Sequence, residues 1–352
     1  MHFLLYLISA FCRRKDSVIL ILCRNEDKDE IAKTITNFEE RFNARYKYPY
    51  VFLNDKDWDN DFKDKIKSVT KSQVKFGKVP SEDWDMPKSI DAEKAKTNWK
   101  TMAMKGVPYA EKESYHNMCR FYSRSFYYHD LVQKYKYYWR IEPGVRFRCK
   151  IPYDPFEIME EKGYKYGFTI TLFEFKDSIP TLYDSTLEFK RKYSHLIPKD
   201  KKTLQFMFEN RNYNGCHFWS NFEIASFELF RSKSYTTYVG YLNQKGGFYY
   251  ERWGDAPVHS LAVAMFLDMS EVHFFEEIGY THPPFTHCPT NGIDCDCKPE
   301  ENFDNNQISC LPKYRNDTKS QKTPADGKVA NDAKNGSGIH VNIEQGKDAR
   351  NI

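Results

Sequence analysis

No run of twenty apolar residues, the length a helix needs to cross a bilayer, occurs anywhere in the 352 residues. The nearest candidate is FLLYLISAF (3–11), nine residues long and closed by Arg13-Arg14-Lys15. It lacks a basic segment before it and a clean small-residue cleavage site after it, so it reads poorly as a signal peptide too. Either a short packed element or the remnant of a leader is expected there. An excess of one charge is also missing. Lys and Arg number 53 against 49 Asp and Glu, and the net charge of +4 is spread out, which leaves no electrostatic footprint for nucleic acid. No internal repeat marks a solenoid or array. The nine cysteines match no zinc-finger spacing; Cys295-Asp-Cys297 with a distant Cys310 suits disulfide stapling better. This clustering near the end of the folded region favours an oxidising compartment, the setting in which the sequons at Asn316 and Asn335 become usable.

Aromatic residues are plentiful: 25 Tyr and 27 Phe in a chain that is 29% charged. That balance fits a large packed core with aromatic-lined clefts and excludes a fibrous or disordered chain. SVILIL (17–22) is a continuous β-branched run that reads as a buried strand. In 29–43, Ile31, Ile35, Phe38 and Phe42 recur at helical spacing, and YPYVFLND (48–55) is a second strand. Strand, helix, strand opens an α/β nucleotide-binding layer. The lysine-rich stretch 56–112 reads as a solvated periphery. Helices are expected over 114–133, 216–231 and 257–268, and strands over 137–145, 167–175 and 272–280. From 313 onward the chain is polar and aperiodic, which predicts a disordered tail.

Four constellations carry chemistry. In Arg140-Ile-Glu-Pro-Gly144, a carboxylate leaves a buried strand at a Pro-Gly break, where open α/β sheets bind ligands; Glu142 is a hard oxygen ligand suited to Mg²⁺ or Mn²⁺. GGFYYERWGDAPVHS (246–260) places Asp255 at or near a helix N-cap, beside Glu251 and Arg252. HFFEEIGYTHPPFTHC (273–288) sets His282 and His287 in and around a Pro-rich loop. In YNGCHFWSNFEIAS (213–226), Glu223 is the only acid among Phe218, Trp219, Phe222 and Ile224. Read as a helix, that segment gives Glu223 an aromatic face shared with Trp219 and Phe227. Each of these has an ordinary structural reading when taken alone: a turn, a cap, a satisfied histidine, a surface acid.

Taken in order, SYHNMCRF, YYWRIEPGVRF, IPYDPF, YNGCHFWSNFEIAS, GGFYYERWGDAPVHS and GYTHPPFTHCP closely resemble the fungal Golgi α-1,2-mannosyltransferase family. The resemblance runs from about Val18 to about Cys310. It implies one glycosyltransferase-A-like α/β domain, a mixed central sheet flanked by helices, spanning 17–312. A short leader or truncated anchor (1–16) precedes it and a polar tail (313–352) follows. It further implies GDP-mannose as donor, a mannose-terminated N- or O-linked glycan as acceptor, Mn²⁺ as cofactor, and a Golgi setting with membrane association. Residue by residue, Glu223 matches the proposed nucleophile, Glu142 and His282 the metal ligands, and Arg24, Tyr115 and Asp255 positions at the donor cleft. Tyr183 stands where the family has Trp, and Lys150 where it commonly has Asp; the Lys150 charge puts the acceptor preference in question. Mannosylphosphate transfer from the same donor, or an inactive scaffold that keeps the fold, are the alternatives.

Overall fold

The computed structural model of the chain describes residues 16–322. Seven strands form the central sheet: β1 Ser17–Leu22, β2 Tyr50–Asn54, β3 Val74–Lys78, β4 Tyr137–Arg140, β5 Tyr166–Phe168, β6 Glu223–Ser226 and β7 Val272–Phe274. Their spatial order is β7-β5-β6-β4-β1-β2-β3. β1 pairs in parallel with β2 and β4, and β3 adds in parallel to β2. β6 runs antiparallel to both β4 and β5, so the sheet is mixed, as expected.

The two-residue period of a strand sends successive side chains to opposite faces. Val18, Leu20, Val51 and Leu53 enter one core layer, while Ile19, Ile21, Tyr50 and Phe52 enter the other. Helix α1 (Lys28–Phe38) covers the second layer with Ile31, Ile35 and Phe38, all buried. The first layer is closed by α2 (Glu113–Arg124) and α3 (Asp255–Phe266). In α3 nearly every residue is buried, which is why its sequence shows no polar stripe.

Several expected elements differ. The helix expected over 216–231 is two short strands, Cys216–Phe218 and Glu223–Ser226, joined by a turn, and only Phe227–Arg231 is helical. Closely spaced aromatics there imitate a helical period because both faces of the strands are buried. The expected strand 167–175 divides into Tyr166–Phe168, in the main sheet, and Thr171–Phe173, paired with Cys216–Phe218. The 56–112 region contributes β3 to the sheet and is not wholly peripheral. The tail boundary at 312 also moves: Leu311–Lys322 is helical, with Tyr314 and Asp317 packed inward. The rest of the tail and the 3–11 run lie outside the described residues.

Disulfide stapling is found, with Cys149–Cys295, Cys216–Cys310 and Cys288–Cys297 bonded. Cys23 and Cys119 are buried free thiols. Among the described residues no helix is long and apolar enough to cross a membrane.

Candidate active site

Where β1, β2 and β4 end, the chain turns away from the sheet and leaves an open cleft. Cys23 and Arg24 follow β1, Asn54 and Asp55 close β2, and Glu142 and Pro143 follow β4. Helix α2 supplies the facing wall through Tyr115, Met118 and Tyr122. This is the edge at which open α/β sheets take ligands. Gly144 completes the turn after Glu142 at φ +82°, and a side chain there would both strain the backbone and meet Glu30 Oε1 at 2.9 Å.

Glu142 is gripped from two sides. Arg140 Nε donates to its Oε1 at 2.8 Å, and His282 Nε2 lies 3.7 Å from its Oε2. Burial alone would raise the Glu142 pKa, but Arg140 and His282 outweigh it and hold the carboxylate at about 2. His282 arrives from the short strand Tyr280–His282 and packs against Trp219, ring centres 4.7 Å apart. The expected pair of metal ligands therefore converges at the cleft, with an ionised hard oxygen and an imidazole nitrogen. It is a pair and not a cage: among the described residues no group of three His, Cys, Asp or Glu gathers around a common point. Such a donor set fits a divalent ion that takes its remaining ligands from diphosphate and water.

One layer behind Glu142, Arg140 is the hub. It is buried, its Nη1 donates to Asp255 Oδ2 at 2.5 Å, and its guanidinium stacks over the Tyr122 ring at 3.5 Å. Asp255 Oδ2 also accepts from Ser220 Oγ at 2.7 Å. Burial raises the pKa of Asp255, but the Arg140 charge overrides it and the net shift is downward. Asp255 is the first residue of α3, after Gly254 as N-cap, so it adds the helix N-terminal field to its ion pair.

Glu223 lies deeper still. It faces Arg140 across the β6–β4 ladder and is fully buried. Tyr138 Oη donates to Oε1, Tyr166 Oη donates to Oε2 at 2.6 Å, and His259 Nδ1 sits 2.9 Å from Oε2. Burial, reinforced by the Glu223 charge, pushes both phenols far above their ordinary range, so they remain donors. His259 is raised as well: burial opposes its charge, but Glu223 prevails. Its Nε2 donates to the Tyr122 carbonyl at 3.0 Å, which ties the Glu223 network to the cleft wall.

Arg24, Tyr115 and Glu142 thus line the cleft, His282 joins them through Glu142, and Asp255 and Glu223 stand behind. Arg24 is 48% exposed at its side chain and paired with Asp27 at 3.1 Å, a bond that raises its pKa. Sequence reasoning missed Arg140, Tyr138, Tyr166 and His259. Arg140 had a signal, since an arginine inside a buried strand needs a buried acid. So did His259, four residues after Asp255 on an otherwise apolar helix.

A model of the glycolipid 2-alpha-mannosyltransferase family matches residues 2–319. The chain belongs to that family. An O-glycoside alpha-1,2-mannosyltransferase, omh1 of Schizosaccharomyces pombe, is 45% identical over 86% of this chain and 78% of its own length. Among solved structures, mannosyltransferase Ktr4p from S. cerevisiae in complex with GDP superposes with a TM-score of 0.83. It is 41% identical, over 86% of this chain and 82% of that one. Core-mannan synthase A from Aspergillus fumigatus, in its Mn/GDP form, gives 0.81 at 35% identity, over 86% and 84%. The glycolipid 2-alpha-mannosyltransferase fold is the glycosyltransferase-A-like mixed sheet described above.

Proposed function

We propose that this chain is a retaining α-1,2-mannosyltransferase, moving mannose from GDP-mannose to the 2-hydroxyl of a mannose-terminated N- or O-linked glycan. The observation that carries this is the convergence of Glu142 and His282 at the cleft, in a chain whose relatives carry that name and bind GDP and manganese. We assign the cleft beside Arg24 and Tyr115 to the nucleotide and diphosphate. Mn²⁺ held by Glu142 and His282 would supply Lewis-acid neutralisation of the departing diphosphate. Tyr115 would orient the diphosphate and the reacting sugar, and Arg24 would add positive charge at the cleft mouth. Arg140 and Asp255 hold Glu142 in place.

Donor and product share the α configuration. As the bond from C1 to the phosphate oxygen breaks, positive charge grows on the sugar ring, and the acceptor 2-hydroxyl oxygen forms the new bond while its proton passes to the departing phosphate. We assign Glu223 to electrostatic stabilisation of that charge. Its burial, with both oxygens engaged by Tyr138, Tyr166 and His259, supports a field over a covalent bond to C1. The three disulfides support a secretory, oxidising setting such as the Golgi lumen.

The test is incubation with GDP-mannose, Mn²⁺ and an α-mannobiose acceptor. A trisaccharide whose new linkage is α-1,2 by NMR supports the reading. A new phosphodiester would replace it with mannosylphosphate transfer, and no product despite GDP binding would favour a scaffold.

A further inference from the structure

A second cavity lies at the far end of α3 from the donor cleft. Asp255 opens that helix beside Arg140, and Leu261, Ala264 and Met265 wall the cavity about 10–15 Å further along its axis. The cavity measures about 610 Å³, within the range of small-ligand sites. Four cations line it. Lys190 comes from the last turn of helix Leu182–Lys192, Lys199 and Lys201 from the segment that follows, and Arg211 from the turn between the short strands Phe208–Glu209 and Asn212–Tyr213. No Asp or Glu lines it, and among the described residues none of the four is paired with a carboxylate. Lys201 Nζ donates to the Ala264 carbonyl, and to that of Leu267 at 3.1 Å, so it closes the C-terminal end of α3. Burial pushes its amine down to about 8; the Lys190 charge adds to this, and the Asp268 and Glu271 charges do not restore it. Like charges gathered this way raise one another's cost unless an anion arrives between them.

Arg211 stands where the backbone favours glycine. Asn210 and Arg211 are the two central residues of the hairpin turn, at φ +50° and +66°. Both positions need the left-handed region; Asn suits the first, and Gly is the residue of least cost at the second. An arginine there gives up backbone ease to set a guanidinium at the cavity. Tyr183 Oη donates to the Arg211 carbonyl at 2.8 Å, which ties the turn to the helix that carries Lys190. Beside the cations stand the rings of Tyr183 and Phe208, 6.0 Å apart, and the side-chain amides of Gln205 and Asn210. The cations suit a phosphate, and the rings and amides suit the C–H face and hydroxyls of a sugar that bears it.

We propose that the cavity lined by Lys190, Lys199, Lys201 and Arg211 is a second binding site, for a phosphate ester carried on a sugar, separate from the donor cleft. It goes beyond the mannosyl-transfer reading and is tested by binding alone, so either can fail without the other. The test is calorimetry with mannose 6-phosphate, inorganic phosphate and mannose, in saturating GDP and Mn²⁺ so that the cleft is filled. Mannose 6-phosphate should bind about tenfold or more tightly than either inorganic phosphate or mannose. In Arg211→Gly and in Lys199→Gln its Kd should rise about fivefold or more, while the GDP Kd changes less than about twofold. Arg211→Gly removes the charge and suits the turn, so its melting temperature should not fall below that of the wild type. Equal affinity for mannose and mannose 6-phosphate would overturn the site, as would inorganic phosphate binding as tightly as the sugar phosphate. An unmoved mannose 6-phosphate Kd in both variants would overturn it as well.

Discussion

Arg140 and Asp255 form an ion pair of 2.5 Å between side chains only 3% and 6% exposed. Removing the Asp255 charge leaves the buried Arg140 guanidinium with Glu142 as its remaining carboxylate partner. Asp255→Asn should therefore destabilise the fold by about 1.5–3 kcal/mol. Urea titration would measure it, and a loss under about 1 kcal/mol would mean that Glu142 alone offsets the Arg140 charge.

Glu223→Gln keeps the shape of the buried carboxylate and removes its charge. Turnover should fall by about two orders of magnitude or more, with GDP affinity kept. Retained turnover would remove Glu223 from the mechanism. Azide added to Glu223→Ala offers a second check, since a mannosyl azide of inverted configuration would indicate that the position can be approached from the face opposite the phosphate.

Glu142, held at about 2, stays ionised down to strongly acidic pH. Its folded value is depressed, so its contribution to stability is present above the ordinary carboxylate value and is lost as pH falls from about 4.5 towards 2. Manganese-supported GDP binding should show no loss from Glu142 protonation between pH 5 and pH 7, at ~25 °C. Glu142→Gln and His282→Ala should each weaken Mn²⁺ binding in the presence of GDP by about tenfold or more. Calorimetry at two pH values reads both effects.

The His259 shift has the opposite sign. A raised folded value gives stability that is fully present below about pH 6.5 and is lost as pH rises through the folded value. His259→Gln should flatten that dependence. Melting temperatures of both proteins from pH 6 to pH 9 would decide it, and parallel profiles would show that the Glu223–His259 contact does not govern the proton.

The aspects of the site legible in the sequence were those that depend on residue type at a chain break. Glu142 before Pro-Gly, and the first strand-helix-strand unit, are of this kind, and both are found where expected. Glu223 was legible only through its motif. Its surroundings were read as one helix face, whereas Tyr138, Tyr166 and His259 come from two other strands and a distant helix. No local period encodes such a meeting. The same holds for Arg252 and Glu174, whose ion pair requires two loops to fold together. Composition gave the stapling by disulfides, but pairing is a property of the closed fold.

The Cys216–Cys310 bond encloses a stretch of chain that contains Glu223, Arg252, Asp255, His259 and His282. Arg140, Glu142 and Tyr115 lie outside it. A protease that nicks an exposed turn inside the loop, such as the one at Pro299–Glu301, therefore yields two pieces still joined by sulfur. Gel mobility would stay that of one chain until a reductant is added, and the C-terminal piece, which carries Tyr314 and Asp317 and none of the site residues, would stay docked by its sulfur link.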